Sequence, residues 1–375
     1  MINSIVIFRG ARKDFDNYLE DHIKSTDNTI PFMDLIQHYN ARIRPTEAAV
    51  KETDLAQKIT VDNCIVRTDD YGSVLEHVLP NFVNILSLNH RIKHLYVQNP
   101  PKRVQYALES AFPNDIEYCG SVYQEINREV LKRIYYDLSQ NILGQDTCKK
   151  QLIAGLYRLI SASSSRPSVL MLYGPSGVGK TETAKSLSKS LGGDLLRVQF
   201  SMMQTVEAYN YVFGAEHSKT SFARDLLSRE TNIILIDEFD KVNPQFYNAF
   251  YQLFDEGRFV DSNYEVDMQQ SVFILTCNFM TENQIRQSLG PAMFSRIGCC
   301  IKYEDLTKQQ KEQIIFSWFN DILSNLQDEE KSFITSTNIL NWFTNNADRY
   351  DNIRILKTKM ENAVFEKLTE HFILS

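Results

Sequence analysis

The run Gly174-Pro175-Ser176-Gly177-Val178-Gly179-Lys180-Thr181 limits what this chain can fold into more than any other stretch. It fits the phosphate-binding pattern G-x-x-x-x-G-K-[ST], and its flanks suit such a loop. The apolar residues 168–173 before it predict a buried strand, and residues 181–191 after it predict a helix. Glycines let backbone N–H groups turn onto phosphate oxygens, and the helix N-terminus adds partial positive charge. In that arrangement Lys180 reaches the β- and γ-phosphates, and the Thr181 hydroxyl is placed to ligate Mg²⁺. The eight residues and the adjoining Glu182 form the candidate nucleotide-binding set; the alternative is a glycine turn that binds nothing.

At 375 residues, two or three domains are expected, each with its own core. A hydrophobic content of 43% and a charged content of 23% are ordinary for a soluble protein. The net charge of −7 argues against a surface that coats nucleic acid. No apolar run approaches the ~18 residues of a membrane-spanning helix, and Arg9 breaks the first apolar stretch, so neither a membrane span nor a signal peptide is expected. The six cysteines form no C-x-x-C pair, which predicts a reducing cytoplasm and, for Cys299-Cys300, packing in a strand.

Three segments emerge. Residues 1–138 mix candidate strands (4–8, 64–67, 94–98, 115–118) with a helix at 101–111, predicting a small α/β or α+β domain with no recognisable motif. No internal repeat is visible in the sequence. Residues 139–303 alternate strands (169–173, 195–200, 233–237, 272–278, 299–303) with helices, the pattern of a parallel α/β sheet. Residues 304–375 read as a small helical lid, with helices at 307–326, 338–345 and 353–372. The stretch 90–103 gathers Arg91, Lys93, Lys102 and Arg103 with His90 and His94. A solvated face is the expected reading, contact with phosphate or an acidic partner the alternative.

Two further strand ends carry chemistry. The run Ile233-Ile234-Leu235-Ile236 ends in Asp237-Glu238, 57 residues after Lys180. A buried strand ending in two acids places both at the carboxyl edge of the sheet, where ligands bind in open α/β folds. Asp237 suits Mg²⁺, and Glu238 suits polarising a water for attack on the γ-phosphate. The strand at 272–277 ends at Asn278, whose side chain either orients water and phosphate or caps a turn.

Taken together these residues resemble an AAA+ ATPase, in wording nearest the Clp-type unfoldases, over roughly residues 139–375. Ile142-Leu143-Gly144-Gln145 resembles that family's adenine-contacting box. Residues 235–241 resemble its Walker B strand and turn, and residues 254–261 (F-D-E-G-R-F-V-D) its L-D-x-G-R-x-x-D segment. The resemblance implies ATP and Mg²⁺ as cofactors, Asn278 as sensor 1, Arg296 as an arginine finger reaching a neighbouring subunit, and Arg354 as sensor 2. It thereby implies a homo-oligomeric ring, a hexamer, that unfolds or remodels protein clients selected by the first domain. In that family an aromatic pore loop grips polypeptide; here the corresponding letters are 209–215 (Y-N-Y-V-F-G-A), making Tyr211 and Phe213 the candidates, with core packing as the alternative. A long insertion and an I-G-F or I-G-L tripeptide are lacking, which argues against docking to a ClpP-type protease. Two other functions remain open: an ATP-switched assembly module, for example in a defence complex, and a DNA-handling loader or helicase, which the acidic charge disfavours.

Overall fold

The computed structural model describes residues 2–43, 58–161, 166–203 and 205–374. The first unit runs β1 (Ser4–Arg9), α1 (Arg12–His22), β2 (Thr29–Pro31), α2 (Phe32–Ile43), β3 (Ile59–Val66), α3 (Thr68–Gly72), α4 (Phe82–Asn89), β4 (His90–Gln98), α5 (Lys102–Ala111) and β5 (Ile116–Gly120). Its strands are all parallel, in the order β2-β3-β4-β1-β5. Alternation along β1 divides the core: Ile5 and Ile7 pack with α2, α4 and α5, while Val6 and Phe8 pack with Phe15 and Leu19 of α1. Parallel sheets need cover on both faces, and this division supplies it. The strands at 59 and 90 begin earlier than the apolar letters suggest. The polar letters are accommodated one by one: Thr60 is exposed, Asp62 pairs with Lys93, and buried Asn63 donates to Thr29 Oγ1 at 3.2 Å.

The second unit runs α6 (Arg128–Asn141), α7 (Asp146–Ser161), β6 (Ser168–Tyr173), α8 (Lys180–Ser190), β7 (Leu196–Gln199), α9 (Thr205–Phe213), α10 (Phe222–Leu227), β8 (Ile233–Asp237), α11 (Tyr247–Glu256), the hairpin β9 (Arg258–Val260) and β10 (Glu265–Asp267), β11 (Val272–Thr276), α12 (Glu282–Phe294) and β12 (Cys299–Lys302). Its parallel sheet has the order β12-β6-β11-β8-β7. Even-numbered Leu170, Leu172 and Ile274 pack toward α6, α7 and α8; Val169, Met171 and Phe273 pack toward α9 to α12. Cys299 and Cys300 join the two sides of that core from the edge strand, as the apolar run predicted.

Counting strands within each unit, hairpin apart, both sheets read 5-1-4-3-2. In both, the first crossover helix (α1, α8) lies on one face and the crossovers between strands two and five lie on the other. The sequence shows no repeat, yet the chain contains the same sheet topology twice.

The carboxyl edge of the first sheet docks onto the second unit. Lys102 N–H donates to the Asn263 carbonyl at 2.7 Å, and its Nζ to the Asp261 carbonyl at 2.5 Å. Arg224 pairs with Asp69 at 2.6 Å, and His217 Nε2 meets the Val74 carbonyl at 2.8 Å. The connecting segment lays the Tyr123 ring under the buried Arg229 guanidinium, 4.4 Å away. Helices α13 (Lys308–Ser324), α14 (Asp328–Ser336), α15 (Ile339–Asn345) and α16 (Ile353–Phe372) form the third unit, around Ile315, Leu356, Met360 and Val364. Among the described residues no helix is long and apolar enough to cross a membrane.

The basic stretch at 90–103 is split among several roles. Lys93 pairs with Asp62, Arg103 with Glu76, and His94 Nδ1 bonds Ser4 Oγ. His90 is buried and stacked on His38, Nε2 lying 3.2 Å from His38 Nδ1. Burial first, and the charge of His38 second, hold the His90 pKa below its ordinary value. The unfolded chain therefore takes up this proton before the folded one does, so the stability from neutral His90 is present above ~6.5 and is lost as pH falls through the depressed folded value. Urea melts between pH 7 and pH 5 should show stability falling with acid, and His90→Gln should flatten that slope.

Candidate functional site

Strand β6 delivers the chain into Gly174, whose φ of +129° leaves no room for a side chain: a Cβ there would lie 2.3 Å from the Tyr303 carbonyl oxygen. The loop returns through Gly179, also left-handed at φ +102°, directly into α8. Lys180 is buried. Its ammonium donates to the carbonyls of Gly174 (2.6 Å) and Pro175 (2.7 Å) and to Asn278 Oδ1 (3.2 Å). Burial pushes its pKa down to about 8, with the nearby Arg354 charge adding to the effect. Glu182 departs from expectation. Its carboxylate lies on the outer face of α8, paired with Lys185 at 2.9 Å, so its backbone alone remains at the loop.

Strand β8 ends at Asp237, and Glu238 follows in left-handed backbone, φ +54° and ψ +48°. The Thr276 hydroxyl at the end of β11 donates to Asp237 Oδ1 and accepts from the Glu238 N–H at 2.9 Å. One threonine thus fixes both acids. Glu238 Oε2 accepts from Ser201 Oγ at 2.6 Å and from Gln199 Nε2 at 3.1 Å. Arg197 donates to Asp237 Oδ2 at 2.6 Å. Arg197, Gln199 and Ser201 were not identified in the sequence. Arg197 and Gln199 alternate on one face of β7, and the register sets Gln199 opposite Asp237; only that pairing brings them to the acids.

Residues 142–145, the candidate adenine box, lie against the loop. Ile142 is buried, and its Cγ2 lies 3.7 Å from where a Gly179 Cβ would be. Leu143 is partly buried beside it. Gln145 exchanges hydrogen bonds with the Glu304 backbone, tying this box to the start of the helical unit. The N-terminus of α16 also abuts the loop: a Cβ on Gly177 would sit 3.1 Å from Asn352 Oδ1. That oxygen caps the helix by accepting from the Arg354 N–H at 2.8 Å, and the Arg354 side chain is exposed.

Arg296 lies apart from this cluster. Its Nε and second terminal nitrogen bond Asp255 Oδ2 at 2.9 and 2.7 Å, and its guanidinium covers the Tyr251 ring at 4.2 Å. Within its own chain it is engaged with α11.

Tyr211 requires a correction. It is buried on α9, its hydroxyl donating to Asp225 at 2.6 Å and its ring packed edge-on against Phe200. It is a core residue, because α9 turns that face inward. Phe213 is partly buried, packed on Phe246 and on Tyr209. The exposed apolar side chains of this segment are Met202, Val206 and Tyr209.

A buried lysine in a glycine loop, two acids at the end of β8 and an asparagine just past β11, the strand between them, form an arrangement like the nucleotide site of an AAA+ ATPase. The 5-1-4-3-2 sheet and the helical unit at the loop agree with it. The family described as AAA domain (Cdc48 subfamily) matches residues 166–329. The chain is 24% identical to the chaperone protein ClpB of Clostridium tetani (strain Massachusetts / E88), over 66% of this chain and 33% of that protein. It is also 24% identical to the ATP-dependent Clp protease ATP-binding subunit ClpL of Staphylococcus aureus (strain bovine RF122 / ET3-1), over 99% of this chain and 59% of that protein. Among solved structures, the S. cerevisiae Hsp104-ADP complex has a TM-score of 0.52 at 21% identity, covering 67% of this chain and 49% of that one. A closed state of Hsp104 with ATPyS and FITC casein has a TM-score of 0.55 at 13% identity, covering 99% and 88%. At these identities the structures bear on the fold. The chain spans about a third of the length of the first ClpB relatives it matches. In its site residues, its family match and its relatives it is similar to Clp-type AAA+ ATPases.

Nucleotide phosphates near Lys180 would restore its charge, so binding should raise a pKa that now stands at about 8. Below pH 8 the ammonium is already protonated, and above it the free protein carries the neutral amine. ATP binding should therefore take up a proton above pH 8 and not at pH 7. Calorimetry in buffers of differing ionisation enthalpy measures this, and Lys180→Arg should abolish the uptake.

Proposed function

We propose that this chain hydrolyses ATP with Mg²⁺ in a homo-oligomeric ring and uses the cycle to remodel or unfold protein. The observation that carries this reading is the Thr276 clamp, which presents Asp237 and Glu238 together beside Lys180 and Asn278. Thr181 and Asp237 would hold the ion, an oxygen donor pair that suits Mg²⁺ and its role of neutralising phosphate charge. Asp237 is already shared with Arg197, so that arginine must yield or turn toward phosphate when the ion is present.

In this reading Glu238 takes the proton of the attacking water, and Gln199 and Ser201 hold its carboxylate in position until then. Lys180 leaves the loop carbonyls for the β- and γ-phosphates. Asn278, bonded to Lys180, and Arg354, at the start of α16, respond to loss of the γ-phosphate and pass it to the helical unit. Arg296 serves the neighbouring subunit, stacked on Tyr251 and oriented by Asp255. Residues 1–138 act as a separate unit for client or partner selection, ahead of the ATPase unit (139–303) and lid (304–375). A hexamer in the cytoplasm, with no protease chamber attached, completes the reading.

Glu238→Gln should keep ATP affinity and lose about 10²–10⁴-fold in turnover. Arg296→Ala should lose about 10³-fold or more. Mixing the two inactive proteins tests the ring: subunits with intact Glu238 would borrow Arg296 from neighbours, and ATP turnover should partly return. No recovery in mixed assemblies would place Arg296 in its own subunit's chemistry or outside it.

A second reading, an ATP-switched assembly module without threading, is favoured by one observation: the buried Tyr211 hydroxyl is committed to Asp225. Exposed Tyr209 decides between the two. Tyr209→Ala should spare ATP turnover and lower client unfolding, followed by loss of fluorescence of a tagged substrate, by about tenfold if the ring threads. Unchanged unfolding would support the switch.

A further inference from the structure

A cavity of about 260 Å³ lies away from the P-loop, where the carboxyl edge of the first sheet meets the second unit. Arg9 of β1 and Lys102, Tyr106 and Glu109 of α5 form one wall; Tyr264 and Glu265 of the β9–β10 hairpin form the other. Two general rules for small-molecule sites coincide at this place. Open parallel sheets take ligands outside the carboxyl ends of their strands, at the point where crossovers leave to opposite faces. Here the crossover from β1 carries α1 on one face and the crossover from adjacent β4 carries α5 on the other. Interfaces between structural units are the second favoured location.

The first unit has no triphosphate cradle. Two residues, Gly10 and Ala11, join β1 to α1, against the six from Gly174 to Gly179 in the second unit. The Asn99 side chain seals that turn, accepting from the Gly10 N–H and donating to the Gly10 carbonyl, both at 2.9 Å. Any ligand of this edge must be smaller than ATP and must sit beside the turn, against α5, where the cavity lies.

The lining chemistry narrows the class. Among the described residues Arg9 makes one side-chain hydrogen bond, to Gln105, and no ion pair. Lys102 Nζ donates to a neutral carbonyl. Two cations thus face the cavity without a carboxylate partner. Glu265 is neutralised by Arg258 at 2.5 Å. Glu109 accepts from Gln105 and from the Tyr118 hydroxyl through Oε1, each at 2.6 Å, leaving Oε2 for a further donor. The Tyr106 ring is 72% exposed, a free face for a planar group.

We propose that this cavity binds a nucleoside monophosphate. Its phosphate meets Arg9 and Lys102, its ring lies on Tyr106, and a ribose hydroxyl donates to Glu109. The volume of about 260 Å³ lies just below the ~300–1,000 Å³ usual for ligand pockets, which leaves room for no more than a mononucleotide. Such a ligand bridges α5 and the hairpin and so strengthens the docking of the first unit on the ATPase unit.

The test uses the full chain carrying Lys180→Ala, which silences the P-loop, titrated calorimetrically with AMP, adenosine and ribose 5-phosphate. The expected result is one AMP per chain, with adenosine and ribose 5-phosphate each at least tenfold weaker. Affinity for AMP should fall at least tenfold on adding Arg9→Gln and, separately, Tyr106→Ala. Both side chains are exposed, and unchanged thermal melting of each variant confirms folding. No saturable AMP binding, or AMP binding that neither substitution alters, overturns the proposal. Ribose 5-phosphate or adenosine binding as tightly as AMP also overturns it, since either the ring or the phosphate would then be idle.

Discussion

The Thr276 hydroxyl is the contact on which the active edge depends. It joins two parallel strands at their carboxyl ends, donating to Asp237 and accepting from the next residue's N–H. That second bond supports left-handed backbone at Glu238, a conformation that costs a non-glycine residue free energy unless its surroundings hold it. Turned this way, the Glu238 side chain reaches over to Gln199 and Ser201 while Asp237 stays at the sheet. Two adjacent acids would otherwise alternate to opposite faces of a strand. Breaking the strand geometry by one residue separates their partners: Asp237 meets Arg197, and Glu238 meets Gln199 and Ser201.

The repeated 5-1-4-3-2 sheet shows how strongly that edge depends on a few letters outside the strands. Both units present the same strand ends, and in each an asparagine follows the fourth strand. In the second unit Asn278 faces a lysine at the head of a six-residue glycine loop. In the first, Asn99 folds onto a two-residue turn and fills the place of the loop. Asn99 itself adopts positive φ, 45°, to do so. The topology is common to both, but the capacity to cradle a triphosphate belongs to the loop length and to Lys180. The freed edge of the first sheet takes up other work, docking through Lys102 and Asp69 onto the segment that carries the hairpin and α10.

Much of this was legible in the letters, for physical reasons that also mark where legibility stopped. Strands buried on both faces appear as unbroken apolar runs, so Ile233–Asp237 was read to the residue, as was the long helix Ile353–Phe372. The P-loop was legible because its glycines and lysine are required by local geometry. The partners of the acids were not, because Arg197 and Gln199 meet them across a strand pairing that no short window contains. The repeat was hidden for a related reason: sheet order is a property of crossovers, and the turn at Gly10 shares no letters with the loop at Gly174. Among the aromatics of α9 the sequence offered three rings without saying which face was inward. Asp225, fourteen residues on, decided that by accepting the Tyr211 hydroxyl in the core.

Arg296 is held in one orientation by its own chain. Its guanidinium is held by Asp255, by the Ala292 carbonyl and by the face of Tyr251. A partly buried pair of this geometry, with two nitrogens on one carboxylate oxygen and a ring beneath, fixes an arginine more firmly than an exposed ion pair worth about 0–1 kcal/mol. Among the described residues its contacts are with Asp255, Ala292 and Tyr251, none of them in the candidate nucleotide site. An arginine pre-set in one orientation loses little conformational entropy when it meets phosphate, which is the property a subunit needs if it is to serve a neighbour's reaction. Asp255 then has a double effect: it orients the guanidinium and it offsets charge that an incoming phosphoryl group would otherwise meet in full.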